Sequence, residues 1–146
     1  TPLFDAVKRQ ALAIGARLIV LDTLADLFNG DEIQRSQARQ FIGMLRGLAM
    51  STGATVIVLA HPSQSGMSSG SGTSGNTAWS NSVRARLYFS RIMTADGQRV
   101  IEDDPDARRL ETKKSNYGRA GNELRLRWDA GRFVRTDEAA ASGLSS

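Results

Sequence analysis

The hydrophobic positions before residue 61 follow two kinds of pattern. From Leu3 to Ile14, apolar side chains recur at helical spacing, and Gly15 follows where a C-cap glycine belongs, which predicts a first helix. The same spacing, closed by Gly53, predicts a second helix from about Arg35 to Ser51. The runs RLIVLD and TVIVLA do not alternate, so we predict two strands that are buried on both faces. Helices that alternate with buried strands are typical of an α/β fold with a parallel sheet.

The pattern changes twice beyond residue 61. Gly and Ser dominate residues 62–77, and we predict a mobile loop there that joins two segments of one sheet. A short helical turn at AWSNS and a strand from about Arg86 come next. The segments RRLETKKSN, ELRLRW and GRFVRT alternate, which predicts antiparallel strands with one solvated face. The stretch TADGQRVIEDDPDAR is predicted to be a polar connection, and residues 136–146 a flexible tail.

Composition narrows the class of protein. With 146 residues, of which 40% are hydrophobic, the chain is long enough for one domain, predicted over residues 1–135. No apolar run is long enough to span a membrane, and no signal peptide is recognisable. The absence of cysteine excludes disulfide scaffolds and thiolate metal sites, and it fits a cytosolic protein. A net charge of +4 is compatible with an anionic partner such as a nucleotide or a nucleic acid.

Polar residues end both strands of the predicted parallel sheet. Asp22 and Thr23 follow the first strand, and His61 follows the second. Ligands of open α/β sheets bind outside the carboxyl ends of the strands, so we expect these side chains at one binding edge. A carboxylate there can hold a hydrated Mg²⁺, and an imidazole can donate a hydrogen bond to a phosphate oxygen. Two simpler alternatives stay open: Asp22 caps the following turn, and His61 is a partly exposed histidine at a strand end.

Basic residues gather in two later places. They are Arg84, Arg86 and Arg91 after the Gly/Ser stretch, and Lys113, Lys114 and Arg119 in the segment KKSNYGRAG. An arginine positioned near Trp79 and Asn81 can neutralise charge on a transferring phosphoryl group, and such a residue can come from a neighbouring subunit. The alternatives are a solvated basic face for the first group and a basic hairpin loop for the second.

Three blocks of the sequence, taken in order, resemble the RecA-like ATPases of phage and plasmid origin, including RepA-type hexameric replicative helicases and prophage-encoded ATPases. The blocks are LIVLDTLADLFNGDEIQRSQARQFIGMLRGLA, TVIVLAHPSQSGMSSGSGTSGNTAWSNSVRARLYF and RRLETKKSNYGRAGNELRLRW. The resemblance extends from about Phe4 to Val134. It implies an α/β fold that is a fragment of a RecA-like core, in which parallel strands with flanking helices precede antiparallel C-terminal strands. It also implies ATP and Mg²⁺ as cofactors.

The resemblance implies roles for individual residues. Asp22 matches the Walker B aspartate that holds Mg²⁺ through water, with Thr23 beside it at the nucleotide, and His61 matches a sensor position near the γ-phosphate. Arg84 matches an arginine finger that reaches the nucleotide of a neighbouring subunit. Lys114 and Asn116 match a basic motif near the same interface. The stretch from about Gln64 to Asn76 matches a mobile loop that faces DNA, with the contacts expected at Ser68, Ser69, Gly70, Ser71 and Gly72.

Two elements of the family pattern are missing from the sequence. No G-x-x-x-x-G-K-[ST] phosphate-binding loop occurs, and the family's upstream glutamate base has no equivalent. We therefore expect this chain to be the C-terminal part of a RecA-like core that is inactive as an ATPase on its own.

The leading hypothesis is a part of an ATP-hydrolysing DNA motor, either a replicative helicase or a recombination-related ATPase. Its expected partners are single-stranded DNA and further copies of itself in a hexameric ring, in the cytoplasm of a bacterium and with a bacterial, phage or plasmid origin. The alternative is a non-catalytic DNA-binding or accessory module of the same fold. An unpaired edge of the parallel sheet further predicts a dimer or a larger species in solution.

Overall fold

The computed structural model describes residues 2–28, 30, 34–73, 77–96 and 99–136, without the side chains of residues 95, 96, 99 and 100. The chain divides into two compact units, Thr1–Val83 and Arg84–Ser146. The helices and strands of the first unit are α1 (Pro2–Ala13), β1 (Leu18–Leu21), α2 (Leu24–Leu27), α3 (Arg35–Thr52), β2 (Thr55–Val58), α4 (Gln64–Ser68) and α5 (Thr77–Ser82). Those of the second unit are β3 (Ala85–Arg91), β4 (Met93–Asp96), β5 (Arg99–Glu102), β6 (Ala107–Ser115), β7 (Glu123–Asp129) and β8 (Arg132–Arg135).

The two long helices confirm their prediction from spacing and glycine caps. Helix α3 ends at Thr52, and Gly53 takes a left-handed conformation with φ of 71° and donates its N–H to the Ala49 carbonyl at 2.9 Å. Gly15, two residues after α1, also has a positive φ of 62°. Strands β1 and β2 are parallel, with Leu18 opposite Thr55 and Leu21 opposite Val58. The predicted parallel pairing is therefore confirmed.

The prediction that both strands are buried on both faces is wrong. The side chains of Ile19, Leu21, Val56 and Val58 pack into the core, where α1 and α3 supply partners such as Ala11 and Leu48. The alternate side chains are exposed, with Leu18 at 54%, Val20 at 53%, Ile57 at 41% and Leu59 at 43%. Because only one face of this two-stranded sheet is covered, an unbroken apolar run still gives alternating burial.

An aromatic cluster forms the main core of the first unit. Trp79 of α5 and Phe41 of α3 are 7% and 3% exposed, and their ring centroids lie 6.1 Å apart. The Phe28 ring meets both of them edge-on, at 4.9 Å from Trp79 and 5.4 Å from Phe41. The Arg46 guanidinium on α3 also donates to the Ser82 carbonyl at 3.1 Å, so the end of α5 is fixed to α3.

The Gly/Ser segment contains more structure than its composition predicted. Ser63 caps α4 by accepting a hydrogen bond from Gly66 N at 3.1 Å, and it also donates to the Thr73 carbonyl at 2.9 Å. Gly66 is buried, and a Cβ at that position would overlap the Thr73 carbonyl oxygen. The short helix escaped prediction because its stability comes from hydroxyl caps and close backbone packing rather than from apolar burial. The mobility of residues 62–77 stays a prediction.

The second unit is built on an antiparallel sheet with strand order β3-β6-β7-β8. This confirms the predicted antiparallel strands. The predicted polar connection is wrong in part, because β4 and β5 form a separate antiparallel pair within it. The expectation of one sheet running across the Gly/Ser segment is also wrong, since β3 pairs with β6 and shares no ladder with β1 or β2 in the described ranges. The whole is a mixed α/β structure, which is compatible with the predicted α/β class.

No helix within the described ranges is both long enough and apolar enough to cross a membrane.

Candidate functional site

The carboxyl edge of the β1–β2 sheet brings together the segments that follow the two strands. Leu59 N donates to the Leu21 carbonyl at 2.9 Å, and Leu24 N donates to the Leu59 carbonyl at 2.7 Å. Asp22 thus lies between Leu21 and Leu24, which are both hydrogen-bonded to Leu59, two residues before His61. The expectation that Asp22, Thr23 and His61 follow strands that end at one edge is confirmed.

Asp22 and His61 have exposed side chains at this edge. Within the described part of the chain, neither side chain has a hydrogen-bond or ion-pair partner of its own. The peptide bond between Asp22 and Thr23 is cis. Both groups are therefore open to a ligand outside the strand ends.

Thr23, and not Asp22, caps the segment that follows β1. It is the N-cap of α2, and the Asp26 carboxylate accepts hydrogen bonds from the Thr23 hydroxyl at 2.8 Å and from Thr23 N at 3.3 Å. These two bonds hold the pKa of Asp26 below its ordinary value. The alternative interpretation of Asp22 as a cap loses its basis, while Thr23 takes on a structural role beside its predicted place at a nucleotide.

The hydroxyl groups of the segment predicted to face DNA are bonded within the segment. Ser69 Oγ donates to the Ser65 carbonyl at 2.7 Å and lies 2.9 Å from Ser71 Oγ, and Ser68 Oγ donates to the same carbonyl at 3.2 Å. Gly70 and Gly72 both have positive φ angles, at 66° and 62°. A phosphate that binds here has to replace some of these internal hydrogen bonds or accept hydrogen bonds from N–H and O–H groups that are still available. Contact of this segment with DNA stays a prediction.

The second unit brings Arg84, Lys114 and Asn116 together where β3 begins and β6 ends. Asn116 N donates to the Arg84 carbonyl at 2.9 Å, and Arg86 lies opposite Lys114 in the ladder. The Arg84 guanidinium lies 5.7 Å from the ring centroid of Tyr117, which is 81% exposed. Three residues predicted to serve one interface thus form one cluster.

Tyr117 is the member of this cluster that sequence reasoning missed. The sequence did indicate it, because Tyr117 follows Asn116 in SNYG, a predicted turn. A tyrosine in a turn does not contribute to the apolar face of a strand, so another role could have been expected. The exposed ring gives the Arg84 guanidinium a surface to stack on, which limits the directions in which that arginine can point.

Glu111 forms ion pairs with Lys113 and Arg109 on the polar side of the same sheet. Lys113 Nζ lies 2.8 Å from Glu111 Oε1 and 5.8 Å from the Tyr88 ring centroid. The Lys113 hydrogen bond, with help from Arg109 and Arg86, holds the pKa of Glu111 below its usual value. Lys113 is therefore committed to a structural ion pair, which favours the solvated-hairpin alternative for that lysine.

The residues at the β1–β2 edge fit a hydrated magnesium ion better than a closed metal site. Within the described residues, no three His, Cys, Asp or Glu side chains are grouped so that they could hold a metal. Mg²⁺ typically keeps several waters and takes one or two carboxylates together with phosphate oxygens. A single open carboxylate such as Asp22, at the edge that also leads into His61, is consistent with that chemistry.

A protein-family model described as AAA domain matches residues 1–67 of the chain. The match includes Asp22, Thr23 and His61, and it ends before Arg84, Lys114 and Asn116. It suggests a nucleotide-hydrolysing ATPase of the AAA type, and such a domain implies nucleotide binding, usually with Mg²⁺. The first 67 of the 146 residues are thus similar to an AAA-type, P-loop ATPase-like family.

Proposed function

We propose that this chain is part of an ATP-hydrolysing DNA motor with a RecA-like core and provides its metal, sensor and arginine-finger residues. The observation that carries the proposal is the open Asp22 carboxylate at the carboxyl edge of β1, beside the segment that leads to His61, inside the residues matched to the AAA domain. Replicative helicases and recombination-related ATPases are the motors that this proposal covers, with the protein acting as a ring of copies.

Each proposed role follows from the chemistry of the side chain. Mg²⁺ with ATP supplies a polarised γ-phosphoryl group whose charge grows during transfer. Asp22 would hold hydrated Mg²⁺ by accepting hydrogen bonds from its waters. His61 donates a hydrogen bond to a phosphate oxygen. Only Pro62 separates His61 from Ser63, the cap of α4, so a change at the phosphate can reach that helix.

Arg84 acts on the nucleotide of a neighbouring copy in this proposal. Its cationic group stabilises the charge that develops on the phosphoryl oxygens, and Tyr117 holds the guanidinium in a stacked position beforehand. Asn116 fixes the Arg84 backbone through its N–H. Lys114, opposite Arg86, adds positive charge to the same end of the sheet.

Two neighbouring carboxylates allow a matched test in the intact protein. Asp22→Asn and Asp26→Asn both remove one negative charge, but Asp26 is occupied by Thr23 whereas Asp22 is open. We expect Asp22→Asn to lower Mg-ATP turnover by roughly 10- to 100-fold, as losses of residues that act through a metal's outer shell do. Asp26→Asn should keep turnover. Equal losses in both variants would show that Asp22 acts through local structure instead.

Mixing of variants tests the role of Arg84 between copies. We expect Arg84→Ala to lower turnover by about three to five orders of magnitude, the range known for arginine fingers. Activity should return in part when the Arg84→Ala protein is mixed with the Asp22→Asn protein, because some interfaces then contain both native residues. No recovery would show that Arg84 does not act on the nucleotide of a neighbouring copy. An intact protein that binds no nucleotide would instead favour the non-catalytic DNA-binding or accessory module.

A further inference from the structure

The second unit carries an apolar sheet face that lies open. Ladder pairing places seven apolar side chains of β3, β6, β7 and β8 on one side, here called the aromatic face: Leu87, Phe89, Leu110, Leu124, Leu126, Trp128 and Phe133. Among them, Leu87 is 58% exposed, Phe89 and Trp128 are each 46% exposed, and Phe133 is 36% exposed. The polar residues Tyr88, Glu111 and Lys113 on the opposite side are less exposed. On β3 this distribution is the reverse of what the alternating pattern predicts for a sheet with one solvated face. On β7 the pattern holds, because Leu124 and Leu126 are half-buried and the polar residues between them are exposed.

The rings of the aromatic face form a connected surface. Phe133 lies between the other two rings, with its centroid 5.1 Å from that of Phe89 and 5.1 Å from that of Trp128. The Arg108 guanidinium covers part of the Phe133 ring, at 5.9 Å from its centroid. The rings pack edge-to-face, with interplanar angles of 75° and 64°, so three strands supply a partly exposed aromatic cluster next to a cation.

The arginines that share this face outnumber the one carboxylate that reaches them. Ladder pairing places Arg91, Arg108 and Arg135 on the same side as the rings, and no Asp or Glu lies on that side among the described residues of the four strands. Glu102 of β5 reaches Arg91 at 2.8 Å and Arg108 at 3.4 Å, which orients both guanidinium groups. Thirteen of the 19 Lys and Arg residues lie from Arg84 onward.

We infer that the aromatic face binds single-stranded DNA, with bases stacked on Trp128 and Phe133 and phosphates held by the arginines. Single-strand binding combines aromatic surfaces with a basic track, whereas a duplex hides the faces of its bases. A second copy of the chain is a poorer occupant, because three arginines against the single Glu102 carboxylate leave the face positive, and like charges repel between two copies. The choice of DNA rests on the proposed motor function, but the surface itself involves only residues of the second unit.

Tryptophan substitution tests the stacking contact in the 146-residue chain without nucleotide or Mg²⁺. Fluorescence anisotropy with a labelled oligo(dT) of about 16 nucleotides, a length within reach of one such β-sheet surface, gives the affinity. We expect Trp128→Ala to weaken binding about tenfold and Trp128→Phe to keep it within about twofold, because phenylalanine still stacks. Oligo(dT) should quench the tryptophan emission of the unaltered chain, and the quenching should vanish in Trp128→Phe. Circular dichroism checks that each variant stays folded.

Two arginines on opposite sides of the sheet provide the matched charge control. The side chains of Arg91 and Arg125 are 65% and 67% exposed, and each pairs with a glutamate, at 2.8 and 3.3 Å. Arg91 shares the aromatic face, and Arg125 lies on the other side. We expect Arg91→Ala to weaken binding and lower the salt slope by about one, as loss of one phosphate contact does, and Arg125→Ala to change neither.

Several results would overturn the inference. They are no binding of oligo(dT), equal weakening by both arginine variants, or unchanged affinity in Trp128→Ala. A Trp128→Ala protein that binds DNA normally but changes its mass in light scattering would assign the face to protein contact instead. Because no step of the assay involves ATP, failure of the aromatic face and failure of the motor proposal are separate results.

Discussion

At the scale of single residues, glycine has opposite effects at two positions of one helix. Gly53 ends α3 with φ of 71°, a conformation that side chains with a Cβ rarely adopt. Gly47 lies inside the same helix, and nothing stands within 4 Å of the place where its Cβ would be. The effect of a substitution on stability is therefore set by backbone strain at Gly53 and by the entropy of the unfolded chain at Gly47.

Alanine substitutions should therefore change stability in opposite directions. We expect Gly53→Ala to lower the free energy of unfolding by about 1–2 kcal/mol, because alanine resists the left-handed conformation. We expect Gly47→Ala to raise it by roughly 0.5–1 kcal/mol, because alanine loses less entropy in a helix. Urea denaturation of both variants beside the unaltered chain measures the difference. A destabilising Gly47→Ala would mean that this face of α3 is covered in solution.

At the scale of elements, α2 combines a capping pair with a buried anchor, because Leu24 is 5% exposed in the core. The helix has only four residues, and Thr23 with Asp26 joins its start to the end of the strand that bears Asp22. A turn of this length is not stable by itself, so the buried Leu24 and its backbone bond to Leu59 hold the chain after β1 in place, and the exposed cap adds to them.

The contribution of Asp26 should depend on pH in a defined direction. Its pKa lies below the ordinary value of 3.8 because Thr23 donates to the ionised carboxylate. A lowered pKa in the folded state means that the stabilisation is complete at neutral pH and is lost as the pH falls through the folded pKa. Thermal melts of the unaltered chain and of Asp26→Asn should therefore differ at pH 7 and converge at the acidic end. A gap between the two melting temperatures that widens with acid would contradict this.

The predictability of these elements from sequence follows from where their stabilising contacts lie. Helices α1 and α3 were predictable because apolar spacing and a closing glycine are local signals. The exposed alternate residues of β1 and β2 were not, since burial depends on what packs against a face rather than on the run itself. The β4–β5 pair was missed although Asp96-Gly97 is a known hairpin dipeptide, because the surrounding charges suggested only a polar connection.

The candidate site was predictable only as far as strand order determined it. Asp22 and His61 share an edge because parallel strands place their carboxyl ends together, and that much follows from sequence. The capping of α2 by Thr23 and the stacking of Tyr117 under Arg84 depend on side-chain geometry that no pattern of polarity contains. Whether Arg84 acts on a second copy stays a prediction.

At the scale of the whole molecule, exposed apolar surface occurs in both units. In the first unit it comprises Leu18, Val20, Ile57 and Leu59 on one face of the β1–β2 sheet. Within the described residues, β1 has a ladder with β2 alone, so one edge of β1 has no strand beside it. Open apolar faces and free strand edges both favour association between chains.

We expect the chain to associate through the first unit in a concentration-dependent manner. Val20→Glu adds a charge to the open sheet face and should lower the average mass seen by light scattering. Met50→Glu is the control, because Met50 is 80% exposed on α3 and lies away from the sheet. A monomer whose mass does not change with concentration would contradict the expected association. A mass lowered equally by both variants would show that net charge, and not this face, controls it.

The irregular register between β3 and β6 has a consequence for chain length. Leu87 lies opposite Thr112 and Arg86 opposite Lys114, so Lys113 is an extra residue in the ladder. A regular strand sends neighbouring side chains to opposite sides, but a bulge lets consecutive residues share one. Lys113 and Lys114 thus both lie on the side of Tyr88, and the aromatic face receives neither. Loss of either lysine would remove the bulge, leave the other lysine opposite Arg86 on the side of Tyr88, and keep Ser115 opposite Ala85. The β3–β6 pair can therefore shorten by one residue here without placing a lysine on the aromatic face.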